Sequence, residues 1–232
     1  MYYTLNDASL LSDTPPDQTH NQARQLIILL HGLGAQPTDL LDMARAFHEA
    51  WPEAAIALPP GLQAFESAYW TGRQWFSVSE MGEDDRPERI AAAMPDFVAL
   101  IRQIQTDSLV PPTDTVIVGF SQGAIMALEA IKTVDGLAGR VLAFAGRYAR
   151  LPTEAPQLTS ISFYHGDADD VISADHARDA FEHLQALGAD VSLDIAHDVG
   201  HEPHPALVAQ AIDRLRNVLP ARLWRRALGG GA

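Results

Sequence analysis

Short apolar runs alternate with amphipathic stretches along most of the 232-residue chain. The apolar runs are continuous and mostly rich in β-branched residues, which is typical of strands that are covered on both faces. They predict strands over residues 26–30, 54–58, 115–120, 141–145, 160–164 and 191–196. The stretches between them predict helices over about 38–50, 87–106, 122–133, 174–187 and 204–219.

Strand–helix alternation of this kind predicts an α/β fold, with a mainly parallel central sheet and helices on both faces. No long insertion interrupts the alternation, so we expect no large lid domain. We expect residues 1–232 to form a single domain, with a surface loop over 7–22 and a flexible tail over 226–232. Because active sites in such sheets gather at the carboxyl ends of the strands, the residues that follow each strand are the functional candidates.

Composition and charge argue against several classes of function. Apolar residues make up 47% and charged residues 20% of the chain, as in a folded globular protein. The 16 basic and 30 acidic residues give a net charge of −14, which argues against nucleic acid and against docking on an anionic membrane. No apolar run is long enough to span a bilayer, so we expect no membrane insertion. The chain has no Cys, which excludes thiol nucleophiles and thiolate metal sites and is compatible with a cytoplasmic location.

A candidate nucleophile follows the third predicted strand. The segment Gly119-Phe120-Ser121-Gln122-Gly123 has the pattern G-x-S-x-G, with a predicted strand before it and a predicted helix after it. In this context the serine occupies a strained strand-to-helix bend, and the small residues on both sides relieve crowding by the neighbouring backbone. A purely structural turn is the alternative, but the flanking elements favour Ser121 as a nucleophile.

The first predicted strand ends in His31-Gly32-Leu33-Gly34, which predicts an oxyanion loop. Acyl transfer from an ester creates a tetrahedral oxyanion that needs backbone N–H donors already in place. The donors expected here are the N–H groups of Leu33 and Gln122, so side-chain substitutions at either position should be mild. We expect His31 to shape the loop by hydrogen bonding. A dinucleotide-binding loop is disfavoured because Pro37 stands where a third glycine is required.

A serine nucleophile needs a histidine base and a carboxylate that orients it. In this architecture the acid follows the serine and the histidine comes last along the chain. Spacing leaves three candidate acids after the strand at 160–164, namely Asp167, Asp169 and Asp170. Of the downstream histidines, His201 lies just past the last strand and is the favoured base. The others are His176 and His183 on a helix, His197 in phase with the last strand and His204 at the start of the last helix.

Together these motifs resemble the carboxylesterase/phospholipase family of α/β-hydrolases, which includes the acyl-protein thioesterases. Segments 72–78 and 145–149 resemble bacterial YpfH-type esterases. The resemblance implies an α/β-hydrolase fold with Ser121 as nucleophile, Asp169 as catalytic acid and His201 as base. It places the oxyanion donors at Leu33 and Gln122. Two departures stand out: Ile172-Ser173 replaces the common Val-Pro, and residues 61–77 differ from the eukaryotic thioesterases, which argues against protein deacylation.

The expected function is that of a serine carboxylesterase that hydrolyses small, short-acyl esters through an acyl-enzyme and needs no metal or organic cofactor. The alternatives are a thioesterase or lysophospholipase that uses the same triad, and a non-catalytic binding module on the same fold. Hydrolases with an aspartate nucleophile are disfavoured, since the bend carries Ser121. The expected partner is a small-molecule ester. The oligomeric state is open, with a homodimer as one option.

Substrate-binding candidates cluster after the second predicted strand. Trp70, Trp75 and Phe76 could line an acyl groove or pack this long connection onto the sheet. Arg73 could bind a polar part of the substrate or form a structural ion pair. The residues alone do not separate these alternatives.

Overall fold

The computed structural model describes residues 3–7, 10–12, 23–67, 71–80, 82 and 85–220. The strands are β1 (Tyr3–Asp7), β2 (Leu10–Ser12), β3 (Leu26–Leu30), β4 (Ala55–Leu58), β5 (Gln63–Ala64), β6 (Arg73–Gln74), β7 (Thr115–Phe120), β8 (Arg140–Phe144), β9 (Ser160–Gly166) and β10 (Val191–Ala196). The α-helices are α1 (Leu41–Ala50), α2 (Arg86–Ser108), α3 (Gln122–Thr133), α4 (Asp175–Ala186) and α5 (Pro205–Asn217). Short 3₁₀ helices cover Pro37–Leu40 and Pro112–Asp114.

Eight strands form one sheet in the order β10-β9-β8-β7-β3-β4-β1-β2. From β10 to β4 every neighbouring pair is parallel, which confirms the predicted parallel core. Strand β1 runs antiparallel to β4, and β2 runs antiparallel to β1. Strands β5 and β6 form a separate two-stranded ribbon. The carboxyl ends of six strands therefore meet at one edge of the sheet.

Helices cover both faces of this sheet, as the continuous apolar strands predict. In β3, Leu26, Ile28 and Leu30 belong to the core packed by α2, α3 and α4, whereas Ile27 and Leu29 face α1 and α5. All five side chains are at most 1% exposed. Since both faces of a central parallel strand are buried, such a strand shows no polar alternation.

The predicted helices and strands agree with the structure, but the strands β1 and β2 and the short ribbon of β5 and β6 were not predicted. The six predicted strands and five predicted helices are confirmed, and their ends differ from the prediction by at most two residues except at the start of α1. There a 3₁₀ turn, Pro37–Leu40, precedes the helix. The loop prediction over 7–22 was wrong at Asp7, which ends β1, and at Leu10–Ser12, which form β2. A three-residue edge strand offers too short a pattern to be recognised, because its pairing comes from β1 rather than from its own side chains. Residues 13–22 and the predicted tail at 226–232 lie outside the described residues.

No further domain is inserted between the strands within the described ranges, and the sheet edge that carries the strand ends has no large lid there. Across those same ranges, no helix combines the length and the apolar character that crossing a membrane requires.

Phe97 of α2 should be a major contributor to stability. Its side chain is fully buried and meets the Trp75 ring edge-on, with 5.5 Å between the ring centroids. We expect Phe97→Ala to lower the free energy of unfolding by about 3–5 kcal/mol, because the substitution leaves a cavity in the core. Urea denaturation measures this loss. Asp96→Ala, at the exposed neighbouring position, is the matched control and should change stability by less than about 0.5 kcal/mol.

Candidate active site

The segments that carry the candidate motifs meet at the carboxyl edge of the sheet. Leu33 follows β3, Ser121 follows β7, Asp169 follows β9 and His201 follows β10. Parallel strands bring these segments to one edge although they are far apart in the sequence.

Ser121 lies on a sharp bend between β7 and α3. Its backbone has φ 53° and ψ −118°, a region that residues with a side chain rarely adopt. The bend is tight: a Cβ on Gly119 would lie 2.5 Å from the Ala124 backbone, and one on Gly123 would clash with the Leu30 carbonyl oxygen. Larger residues at these two positions would push α3 away from the sheet, so the glycines allow the bend that presents Ser121. Backbone strain of this kind is found at functional sites and is held by the surrounding structure.

Three candidate side chains form a continuous hydrogen-bonded chain. His201 Nε2 lies 2.9 Å from Ser121 Oγ, and His201 Nδ1 lies 2.7 Å from Asp169 Oδ2. An ionised carboxylate can only accept, so the proton on the neutral ring belongs to Nδ1. Nε2 then has a free lone pair and accepts the Ser121 hydroxyl proton. This arrangement can remove that proton when the serine oxygen attacks an electrophile.

Asp169 is buried but held in its ionised form. Its Oδ1 accepts the N–H groups of Val171 and Ile172, each at 2.9 Å. Burial alone would raise the pKa of Asp169. The hydrogen bonds from His201, Ile172 and Val171 outweigh that effect and hold the pKa below its usual value.

A second buried histidine touches the same carboxylate. His165 is 1% exposed, and its Nε2 lies 2.7 Å from the Ile172 carbonyl oxygen and 3.2 Å from Asp169 Oδ2. Burial lowers the pKa of His165, so the ring is neutral and Nε2 is the donor. Sequence reasoning missed this residue because β9 was expected to end at Tyr164. The structure extends β9 to Gly166 and turns His165 inward.

The other candidate acids and histidines lie outside this hydrogen-bonded chain. Asp167 pairs with His197 at 2.8 Å on the surface, and Asp170 is exposed. The expectation that His197 belongs to the last strand was wrong, because β10 ends at Ala196 and the His197 side chain is solvent-exposed. His176 is exposed, His183 meets the Pro152 carbonyl oxygen, and His204 caps α5 by accepting the Ala206 N–H.

The predicted oxyanion loop lies directly against the candidate nucleophile. A Cβ built on Gly32 would be 3.3 Å from the Ser121 Cβ, so the two backbones are in close proximity. Within the described part of the chain, neither the Leu33 N–H nor the Gln122 N–H donates to a protein acceptor. Both groups are thus unused as donors in the fold, as the oxyanion hypothesis requires. Gln122 also begins α3, where the helix dipole favours negative charge.

His31 has the structural role that the sequence predicts. It is fully buried, its Nδ1 lies 2.7 Å from the Gly32 carbonyl oxygen, and its Nε2 accepts the Gly61 N–H at 2.9 Å. This pattern requires a neutral ring with the proton on Nδ1. Burial lowers the pKa of His31, which is consistent with that neutral form.

The structure corrects the substrate-binding predictions. Trp75 is 0% and Phe76 is 2% exposed, so both pack the core and neither lines a groove. The Arg73 guanidinium donates through Nε and Nη2 to the Gly61 carbonyl oxygen, at 3.0 and 2.7 Å, which supports the structural alternative. Its partner is a carbonyl group and not the expected acid. Trp70 lies outside the described residues.

Gln122 has a side-chain role that sequence reasoning missed. Its Oε1 accepts the backbone N–H of Trp75, and its Nε2 donates to the Phe76 carbonyl oxygen, both at 2.8 Å. The expectation that a side-chain change at Gln122 would be mild therefore does not fit the structure, since the residue is only 3% exposed and both its amide oxygen and its amide nitrogen are hydrogen-bonded. The G-x-S-x-G pattern carries no signal for this contact, because its partner lies far away in the sequence.

One surface cluster within the described ranges has the spacing of a metal site. Ligand atoms of Asp167, His197 and Asp198 lie within 4.8 Å of one another. Both His197 nitrogens already face carboxylates, at 2.8 Å from Asp167 and 3.4 Å from Asp198, and the side chains of His197 and Asp198 are largely exposed. This cluster is explained as an ion-paired turn, and we assign no metal to it.

Solved structures place the fold among the α/β-hydrolase esterases. The crystal structure of esterase PE8 superposes with a TM-score of 0.75 at 26% identity, covering 85% of this chain and 94% of that one. The carboxylesterase from Bacillus cereus superposes with a TM-score of 0.71 at 17% identity, covering 83% and 88%.

Sequence comparison is more specific. Residues 17–219 match the phospholipase/carboxylesterase family, and the chain belongs to that family. It is 43% identical over 209 residues to esterase YpfH of Escherichia coli (strain K12), covering 90% of this chain and 89% of the relative. It is 28% identical over 221 residues to acyl-protein thioesterase 1 of Gibberella zeae, covering 87% and 94%.

The buried neutral His31 should make stability depend on pH. Its folded-state pKa lies below the usual 6.5, so the unfolded state binds more protons as the pH falls below that value. The free energy of unfolding should therefore decrease as the pH drops from 6.5 through the folded-state pKa. One such proton changes stability by at most about 1.4 kcal/mol per pH unit. Protonation would remove the lone pair that accepts the Gly61 N–H.

Urea denaturation between about pH 5 and pH 7.5 tests this effect. We expect His31→Gln to be less stable than the wild type near neutral pH and to show a shallower pH dependence. His176→Gln, at an exposed position, should keep the wild-type dependence. A His31→Gln protein with the full wild-type slope would contradict the assignment.

Proposed function

We propose that the protein is a serine carboxylic-ester hydrolase that works through an acyl-enzyme. The observation that carries this proposal is the hydrogen-bonded chain from Ser121 Oγ through His201 to Asp169. This chain lies on the strained bend of an α/β-hydrolase fold, in a member of the phospholipase/carboxylesterase family. The 43% identity to an esterase over 90% of the chain supports the same reaction class.

In the first half of the proposed reaction, Ser121 Oγ attacks the ester carbonyl carbon while His201 Nε2 takes the hydroxyl proton. The C=O electron pair moves to oxygen and forms a tetrahedral oxyanion. As the intermediate collapses, the bond between carbon and the leaving oxygen breaks, and His201 returns its proton to the leaving alcohol. Asp169 stabilises the transient imidazolium and keeps the ring in the required tautomer.

In the second half, a water molecule replaces the alcohol. His201 removes a proton from this water as its oxygen attacks the acyl carbon, and Ser121 then leaves with that proton. The products are a carboxylic acid and the free enzyme. Every proton moves between the substrate, water, Ser121 and His201, so the proposed cycle requires neither a metal nor an organic cofactor.

The oxyanion is proposed to bind the N–H groups of Leu33 and Gln122. Preformed donors of this kind stabilise the transition state because they need no reorganisation when the charge develops. The close approach of Gly32 to Ser121 and the availability of both N–H groups support this role. The positive end of the α3 dipole adds to the same field.

For the substrate we propose a small ester with a short acyl chain. The aromatic residues first considered for an acyl groove, Trp75 and Phe76, are buried in the core. The exposed apolar side chains beside the site include Leu33 at 40% and Val171 at 66% exposure. Among the described residues, these two are the large apolar side chains beside the site that are strongly exposed, and a small apolar surface of this kind favours short acyl chains over long ones.

Thioester hydrolysis by the same residues is the second candidate function. The observation that favours it is the 28% identity to an acyl-protein thioesterase over 87% of the chain. The mechanism would be unchanged, with a thiol as the leaving group. A cytoplasmic location, which the absence of Cys allows, would suit either activity. A non-catalytic module is disfavoured because every proposed catalytic side chain is present and connected.

Replacing the nucleophile tests the reaction class. We expect Ser121→Ala to lower kcat by about 10⁶, because the attacking oxygen is lost while the fold is retained. Labelling by a fluorophosphonate, read by intact-protein mass, should occur in the wild type and be absent in the variant. Ser79→Ala, which changes an exposed serine, should keep both labelling and turnover. Labelling that persists in Ser121→Ala would assign the nucleophile elsewhere.

A graded substrate panel tests the chain length and the leaving group. We expect kcat/KM for p-nitrophenyl esters to be highest at short acyl chains and to fall as the acyl chain lengthens, since the strongly exposed apolar surface that the described residues offer beside the site is small. Matched esters and thioesters, with Ser121→Ala as background, separate the two candidate functions. Much faster hydrolysis of long-chain lipids would overturn the substrate proposal, and faster thioester hydrolysis would favour the second function.

A further inference from the structure

The proposed donor at Leu33 has no side-chain anchor of its own. Its side chain is 40% exposed, and its position is set by the backbone of residues 31–35, which we call the oxyanion loop. A donor that must point at a transient charge needs its backbone held to within a fraction of an ångström. The contacts that hold this loop therefore bear on the rate of the proposed reaction.

Residues 72–76, which we call the strap, hold the oxyanion loop from one side. The Gly34 N–H donates to the Arg73 carbonyl oxygen at 2.8 Å, and the Arg73 N–H donates to the Ala35 carbonyl oxygen at 2.9 Å. The loop residues that make these bonds, Gly34 and Ala35, directly follow Leu33 in the sequence. Gly72 packs so closely on Gly34 that a Cβ would collide with the Gly34 carbonyl oxygen.

The strap also holds the start of the loop. The Trp75 indole Nε1 donates to the His31 carbonyl oxygen at 2.8 Å, and the indole ring lies 5.3 Å from the His31 ring. Leu33 therefore lies between two residues, His31 and Gly34, that are each hydrogen-bonded to the strap.

The strap is in turn fixed to the nucleophile helix by one side chain. The Gln122 side-chain amide accepts the backbone N–H of Trp75 and donates to the Phe76 carbonyl oxygen. Both hydrogen bonds are 2.8 Å long and buried. Gln122 directly follows Ser121 and starts α3. A single residue thus connects the candidate nucleophile, the strap and, through the strap, the oxyanion loop.

We propose that the Gln122 side chain is a positioning group for the oxyanion donor at Leu33. This inference rests on the proposed function. In it Gln122 acts twice: its own N–H is one donor, and its side-chain amide keeps the strap in place so that the second donor remains aligned. Loss of the amide bonds lets residues 72–76 shift against α3, and Leu33 moves with them. The misalignment mainly weakens stabilisation of the transition state, because the donors bind the oxyanion more strongly than they bind the ester carbonyl of the ground state.

The test compares two buried glutamines. Gln122→Met removes both amide bonds at similar length, and Gln122→Glu keeps the acceptor for the Trp75 N–H but loses the donor to Phe76. Gln105→Met is the matched control, since that amide is 6% exposed and donates to Thr115 and Leu137. Thr115 begins β7, at the opposite edge of the sheet from Ser121. Melting temperatures establish that each variant is folded.

We expect Gln122→Met to lower kcat about 10²-fold with a much smaller change in KM, as for the loss of one oxyanion donor. Affinity for an alkyl trifluoromethyl ketone, which forms a tetrahedral adduct on a serine, should fall by a similar factor. Gln122→Glu should show the same pattern, and it carries the test if Gln122→Met does not fold. Gln105→Met should lose thermal stability while kcat stays within about threefold of the wild type.

Hydrogen exchange supplies a readout that does not depend on catalysis. In Gln122→Met and Gln122→Glu the amides of Gly34, Arg73 and Trp75 should exchange faster than in the wild type, whereas Gln105→Met should leave them unchanged. A folded Gln122 variant with wild-type kcat, or with unchanged exchange at these amides, would overturn the inference. Absence of Ser121-dependent labelling in the wild type would instead overturn the proposed function, and the exchange experiment would still report on the strap.

Discussion

Close packing between the start of α3 and the end of β3 is the contact on which the site depends. The Gly123 backbone lies against the carbonyl oxygens of Leu30 and His31, and no side chain could be accommodated there. This approach brings the Ser121 bend next to the loop that follows β3, so the nucleophile and both proposed oxyanion donors share one small volume. The left-handed backbone of Ser121, with φ 53°, is the strain that the arrangement carries. Burial of α3 between the sheet and α2 holds it in place.

Two buried titratable groups beside the candidate base, Asp169 and His165, differ in charge. Asp169 stays ionised because it accepts hydrogen bonds from His201 and from the N–H groups of Val171 and Ile172. His165, equally buried, is kept neutral by desolvation and donates from Nε2. A second cation beside Asp169 would compete with the imidazolium that the proposed reaction forms on His201. Because His165 is neutral, it does not compete as a cation with the imidazolium on His201 for the Asp169 carboxylate.

Most of the fold and the position of Ser121 could be predicted because their signals are local. The strand β7, the G-x-S-x-G bend and the first turn of α3 are contiguous, so a short segment specifies Ser121. Sequence spacing alone did not distinguish Asp169 from Asp167 and Asp170. The family resemblance was needed to select it, because only the folded loop shows which carboxylate accepts the Val171 N–H. For Trp75 and Phe76 the sequence left a substrate groove and core packing open, because aromatic composition does not say which way a side chain points. The edge strand β2 was missed because its partner, not its sequence, makes it a strand.

The two proposed donors leave substrate selection to other side chains. Backbone N–H groups bind any oxyanion, and the Gln122 side chain is fully engaged with the strap. The strap in turn uses its aromatic rings to fill the core and its guanidinium to hold Gly61. In the proposed reaction, selection among esters would therefore fall to side chains that remain exposed at the edge of the sheet, of which Leu33 and Val171 are two among the described residues. Because such side chains can change without disturbing the donors or the strap, one catalytic arrangement can serve esters of different acyl and alcohol groups.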